Sequence, residues 1–164
     1  MRWDEIENLP CSIARSLSVV GDRWTLLVLR ECFLGVRRFE DFQAHLGIAR
    51  HRLTDRLNRL VEHEVLKKVP YQENPPRHEY RLTDRGKDLY PVLLSLVRWG
   101  DRWMDQGKGP PVVYRHNSCG HVMTPVLSCP DCGEVLEPRA VTPLAGPGLG
   151  ATAAQAKGIP RRAR

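Results

Sequence analysis

The chain has 164 residues, 41% of them hydrophobic and 27% charged, enough for one domain with a real core and a smaller appendage. Its net charge is +6, but Arg139, Lys157, Arg161, Arg162 and Arg164 give +5 to residues 138–164, which hold no acid, so only +1 remains for residues 1–137. With no apolar run near ~18 residues, no secretory leader, and five cysteines of which two form a C-x-x-C, the composition argues against a membrane protein and a disulfide framework. A cytoplasmic protein with no membrane partner is expected, and nucleic-acid binding has to be argued from local charge.

In LPCSIARSLSVVGDRW, Ile13, Leu17 and Val20 share one helical face, Gly21-Asp22 stops that helix, and Asp22 is placed to cap the next. WTLLVLRECFL, from Trp24 to Leu34, is apolar nearly all round and reads as a central buried helix, with Cys32 packed as a small hydrophobe and Gly35 closing it. In RRFEDFQAHLG, Phe39, Phe42 and Leu46 mark a short helix. Arg37 and Arg38 stand at its start, where basic residues oppose the helix dipole, so they are either solvated or there for a phosphate.

Gly47-Ile48-Ala49 turns into GIARHRLTDRLNRLVEHEVL. Leu53, Leu57, Leu60 and Val61 form one buried stripe, and the opposite face carries His51, Arg52, Asp55, Asn58 and Arg59, flanked by Thr54 and Arg56. Four arginines and one aspartate between Ile48 and Leu60 give a local charge of +3. A charge run is ordinarily a solvated helix face. Here arginine is mixed with Asn, Thr and His, which hydrogen-bond base edges, and a short helix precedes it across a glycine turn. That is the helix-turn-helix arrangement, with a recognition helix over about 49–63. The expected DNA-binding residues are Arg38, Arg50, His51, Arg52, Thr54, Asp55, Arg56, Asn58, Arg59 and Arg77.

After Val65 the period changes. LKKVPYQ and HEYRL are β-prone runs separated by ENPPR, which predicts a hairpin whose tip (the wing, 71–78) carries Arg77 and is stiffened by Pro75 and Pro76. Thr83 is placed to cap a long helix, TDRGKDLYPVLLSLVRWGDRWMDQ, in which Pro91 predicts a kink or break near Leu89. Its apolar surplus, with Trp99 and Trp103, points to a dimer interface or to packing on the N-terminal helix.

C-S-I-A, GDRWTLLVLRE, RRFEDF, GIA followed by LTDRLNRL, PPRHEYRLTDRG and LYPVLLSLVRWG occur in this order. From Cys11 to Trp103 the chain resembles the HxlR-type bacterial transcription regulators, relatives of the MarR and ArsR winged-helix proteins. The resemblance implies a homodimer built by helices from both ends of each subunit, with recognition helices in successive major grooves of a double-stranded operator and wings on the flanking backbone. Some family members sense oxidants or electrophiles through an N-terminal cysteine, which makes Cys11 a redox-sensor candidate beside the reading of a packed interface thiol. Family members often carry Ser where this chain has Ala49, a poor helix cap.

GKGPPVV, residues 107–113, reads as a linker. The next stretch contains His116-x-x-Cys119 and Cys129-x-x-Cys132, two half-sites nine residues apart, each followed by a glycine. Three thiolates and one imidazole at this spacing select tetrahedral Zn²⁺, and four closed ligands make the site structural. The segment resembles a zinc ribbon with His in place of one Cys. His121 is the alternative fourth ligand, and a redox C-x-x-C is the competing reading, although the βαβ setting such a motif needs is missing.

The expected fold is thus mainly α within the α+β class: a winged helix-turn-helix with a long C-terminal dimerisation helix over residues 1–106, the linker 107–113, a zinc-ribbon-like segment 114–137 and a disordered basic tail 138–164. The expected function is a homodimeric, sequence-specific DNA-binding regulator. The alternatives are a zinc-dependent protein-interaction module on a helical dimer scaffold and a thiol redox switch through Cys11. No nucleophile–base set, paired-carboxylate pocket or phosphate loop is evident, so no enzymatic activity is expected.

Overall fold

A computed structural model describes residues 9–149. The part of the predicted tail from 150 to 164, with Lys157, Arg161, Arg162 and Arg164, lies outside the described residues. The elements are α1 (Ser12–Val20), α2 (Arg23–Phe33), α3 (Phe39–Leu46), α4 (Arg50–Glu62), β1 (Leu66–Gln72), β2 (Arg77–Leu82), α5 (Asp84–Lys87), α6 (Tyr90–Trp103), β3 (Tyr114–Arg115) and β4 (Val122–Met123). The chain divides into two units between Leu94 and Ser95. None of the described helices is long and apolar enough to cross a membrane.

The first unit is a mixed α+β winged helix-turn-helix. Asp22 caps α2 through its carboxylate, which accepts from the Trp24 and Thr25 amides at 2.9 and 3.3 Å. The helix then runs through the core with Val28 and Leu29 fully enclosed. Phe42 of α3, Ile48 of the turn, Leu53, Leu57 and Leu60 of α4, and Val65 and Leu66 at the start of the hairpin close around it. The leucine stripe of α4 is buried to the last atom, 0% exposed at all three positions. This anchors the helix by one face and commits the other to solvent.

Among the described residues one charged side chain is buried. Glu31 is 4% exposed and is met by Arg30 Nε at 3.0 Å and His45 Nδ1 at 2.8 Å. Burial works to raise its carboxyl, but the hydrogen bonds from His45 and Arg30 outweigh it and hold the group below its ordinary value.

β1 and β2 pair antiparallel, with Leu66 opposite Leu82 and Pro70 opposite His78. The register slips between Pro70 and Gln72, where proline offers no amide to the ladder. The second strand begins at Arg77, opposite Gln72, so the predicted tip arginine is the first residue of a strand. A contribution invisible in the periodicity comes from the segment before α3. Arg38 bridges to Glu79, and the Tyr80 amide donates to the Arg37 carbonyl at 2.8 Å, adding a third edge to the wing.

The break expected from Pro91 falls at Asp88–Leu89, between α5 and α6. Thr83 caps α5, its hydroxyl accepting from the Gly86 amide at 3.0 Å. The apolar stripe of α1 divides: Val20 is buried, whereas Ile13 is 71% and Leu17 45% exposed. On α6, Val92, Leu96, Trp99 and Trp103 are likewise exposed.

The second unit contains little regular structure beyond the end of α6. Tyr114 pairs with Met123 and Arg115 with Val122, and an isolated bridge joins Ser128 to Val135. Residues 138–149 run through turns and irregular chain.

Candidate nucleic-acid interface

The turn between α3 and α4 is set by Gly47, whose backbone is left-handed (φ +59°) and whose amide closes α3 on the Gln43 carbonyl. Ala49, in extended conformation, begins α4 with no side-chain cap, as the sequence implied. The seam beneath is apolar, so the outward face is free to be polar. Arg50, His51, Arg52, Thr54, Asp55 and Asn58 are all exposed on it. Arg50 lies over the Phe39 ring at 4.8 Å, and Thr54 returns a hydrogen bond to the Arg50 carbonyl at 3.0 Å.

Arg56 and Arg59 take other places. Both are half-buried and turn toward the α1–α2 junction. Arg56 Nη1 is 3.7 Å from Asp22 Oδ2, and Arg59 Nη2 donates to the Ser18 carbonyl. These two residues fasten the recognition helix to the scaffold and are not grouped with the exposed set.

On the wing, Arg77 is exposed at the tip. Arg38 is exposed, and its guanidinium lies 4.6 Å from the centre of the Tyr71 ring and 3.7 Å from Glu79 Oε1. Glu79 also accepts from Arg81 Nη2 at 2.9 Å. The Arg81 hydrogen bond, with the charges of Arg81, Arg37 and Arg38, keeps its carboxyl below the ordinary range. The cationic stacking of Arg38 is thus compensated within the protein.

A residue that the sequence reading passed over is Lys68. It is exposed on β1, and its Nζ donates to Asn58 Oδ1 at 3.2 Å, joining the wing to the recognition face. Its neighbour Lys67 is also exposed. The doublet Lys67-Lys68 was the available signal, since consecutive strand residues point to opposite faces and one of them must face the helix side.

Cys11 is half-buried and precedes α1 in extended conformation. Cys32 is buried in the core, which pushes its thiol up to about 12. In the second unit the predicted ligands form two pairs. His116 Nδ1 lies 3.3 Å from Cys119 Sγ. The Cys129 sulfur accepts from the Cys132 and Asp131 amides, with the Cys132 side chain also in reach, and these hydrogen bonds hold its thiol below the ordinary range. Among the described residues no three His, Cys, Asp or Glu side chains converge into one cluster.

Comparison with known proteins agrees with this geometry. The family model for HxlR-like helix-turn-helix proteins matches residues 19–108. An uncharacterised HTH-type transcriptional regulator of Mycobacterium tuberculosis is 49% identical over 138 residues, covering 84% of this chain and 87% of the relative. The crystal structure of PA1607, described as a candidate transcription factor, superposes with a TM-score of 0.74 at 34% identity, covering 84% of this chain and 96% of that one. PA1374 of Pseudomonas aeruginosa, described in the same way, gives 0.62 at 35% identity, covering 89% and 99%. A match over 138 residues cannot fit within residues 1–108, so the likeness to the mycobacterial relative runs on for at least 30 residues of the C-terminal extension.

Proposed function

We propose that this chain, which belongs to the HxlR-like helix-turn-helix family, is a sequence-specific, DNA-binding transcriptional regulator that acts as a homodimer. The observation that carries the reading is the two-faced α4. Its leucines are wholly enclosed, while Arg50, His51, Arg52, Thr54, Asp55 and Asn58 present a continuous polar face beside the wing. Such a helix fits the major groove, where Arg reads guanine and Asn reads adenine through paired hydrogen bonds. The wing, 71–78, would lie on the flanking backbone, with Arg77 on a phosphate.

Support for the homodimer comes from the exposed apolar side chains of α1 and α6. Ile13 and Leu17 on α1, and separately Leu96, Trp99 and Trp103 on α6, each expose apolar side chains that water disfavours and a second copy would cover. A dimer in turn implies an imperfect inverted repeat, with half-sites ~10 bp apart or a multiple of that. The domain division at 106, 113 and 137 belongs to the same proposal. The scaffold-only and redox-switch readings are not favoured, because a scaffold needs neither the polar recognition face nor the wing.

The test is operator binding by gel shift and fluorescence anisotropy on DNA upstream of the protein's own gene, with excess competitor. Arg52→Ala should cost ~1–3 kcal/mol on the operator and relax specificity at one base pair. Arg77→Ala should weaken all sequences alike and lower the salt slope by about one. If both variants bind the operator as the wild type does, the assignment of helix and wing fails.

A further inference from the structure

We propose that the C-terminal extension is two copies of one metal-binding knuckle, and that His116, Cys119, Cys129 and Cys132 hold one structural Zn²⁺ per chain. The inference rests on a correspondence that spacing alone does not give. In the first loop the His116 amide donates to the His121 carbonyl at 2.9 Å, and the Gly120 amide donates back to the His116 carbonyl at 2.7 Å. In the second, the Cys129 amide donates to the Glu134 carbonyl at 2.8 Å, and the Gly133 amide to the Cys129 carbonyl at 2.9 Å. The two patterns coincide residue for residue, at offsets of five and four. Both loops turn on a glycine in the left-handed region, φ +76° at Gly120 and +75° at Gly133. Both lie inside an antiparallel pairing, Arg115 with Val122 and Ser128 with Val135.

This correspondence chooses between the histidines. His116 falls on the position of Cys129, the first ligand of its loop. His121 falls on the position of Glu134, which contributes only a backbone carbonyl. The side chains agree: His116 Nδ1 is 3.3 Å from Cys119 Sγ, close to the ~3.5 Å that a tetrahedral ion with Zn–S ≈ 2.3 Å and Zn–N ≈ 2.1 Å imposes on two of its ligands.

The energetics ask for such an ion. From Gly107 to Leu149 no side chain is buried. Val122, Val126 and Leu127 are each more than half exposed, and the paired strands are two residues long. Two formed turns without a core need a cross-link, and tetrahedral metal binding supplies folding free energy directly. No three of the four ligands converge in the described chain, so closing both pairs on one ion would draw the loops together across the segment between Cys119 and Cys129. With four protein ligands no position stays open for water, so the site orders the segment and does no chemistry.

The experiment uses the full-length protein, purified reduced from zinc-supplemented cells. Zinc per chain is measured, then replaced by Co²⁺ so that the visible bands report the donor set. The wild type should carry one zinc and give a tetrahedral Co²⁺ spectrum of three sulfurs and one nitrogen. His116→Cys should keep one metal and shift the bands toward an all-thiolate site, a result that a merely structural histidine would not give. His116→Ala, which removes a ligand, should weaken affinity in chelator competition by more than the roughly tenfold that loss of an outer-shell partner already costs, while His121→Ala leaves affinity and spectrum as they were. No stoichiometric zinc in the reduced wild type, or loss of metal in His121→Ala with retention in His116→Ala, overturns the proposal. Circular dichroism of each variant confirms that the winged unit keeps its helices.

Discussion

Gly86 is where the winged unit is least able to accept another atom. The residue sits in α5, directly beneath the joint where the recognition helix passes into the wing. A Cβ built on it would lie 2.2 Å from the Val65 carbonyl oxygen, 3.0 Å from Leu82 Cδ2 and 3.2 Å from the Val65 carbonyl carbon. The leucine can rotate away, but the carbonyl cannot. It accepts from the Thr83 amide at 3.1 Å, and Val65 and Leu66 are 2% and 1% exposed in the core. Relief of the overlap needs a backbone shift of about 1 Å. Overpacking of this kind costs about 1–3 kcal/mol, and the hydrogen bond lost at Val65 adds about 1. The ~1 kcal/mol that alanine gains over glycine in a helix recovers only part of this. Gly86→Ala should therefore destabilise the protein by about 1–3 kcal/mol, read as a drop in urea midpoint at fixed protein concentration. Operator affinity at low temperature should fall too, because β1 leaves α4 through this joint. A variant within about 0.5 kcal/mol of wild type would refute the reasoning and mean that the Val65 carbonyl is free to move.

Two further predictions concern the interior. Thr25 is fully buried and its hydroxyl has no hydrogen-bond partner among the described residues, so Thr25→Val should raise stability by about 1 kcal/mol, and a loss in the urea midpoint would point to an overlooked acceptor. Glu31 is held below its ordinary value of 4.5 in the folded state, so its contribution is complete above that value and is lost as pH falls through the lower, folded one. Glu31→Gln should cost about 1–3 kcal/mol at neutral pH and flatten part of the acid limb of a stability–pH curve, leaving the share of Glu79 and Asp84, which are also held low. An unchanged acid limb would place the proton elsewhere.

Much of the winged unit was legible because its signals are local and periodic. The spacing of Leu53, Leu57 and Leu60 gave a buried face, Pro91 gave the break before α6, and Asp22 and Thr83 announced helix starts that they do cap. The third edge of the wing was not legible. It consists of one bridge, Arg38 to Glu79, and one amide bond from Tyr80, and a single extended residue leaves no period to count. Amphipathicity also has a limit of its own. It tells which face of α1 is apolar but not what covers it, and the stripe of Ile13, Leu17 and Val20 is buried at one end only.

The arginines of α4 mark the same limit on the functional side. A helical wheel assigns Arg52, Arg56 and Arg59 by the direction of Cβ, yet a guanidinium sits several bonds further out and follows the local potential. Here that potential comes from the α1–α2 junction. Ser18 lies in the last turn of α1, where carbonyls lack intrahelical donors and the helix dipole is negative, and Asp22 adds a full charge two residues beyond the helix end. The Leu17 carbonyl is taken by the Gly21 amide, so the Ser18 carbonyl is left for Arg59, and Asp22 draws Arg56. Arg52, one turn earlier on the helix, is exposed. The capping role of Asp22 is written in three adjacent residues and could be read. Its second role, holding Arg56 from 34 positions away, depends on how α2 and α4 pack, and packing is the information that a sequence read locally does not contain.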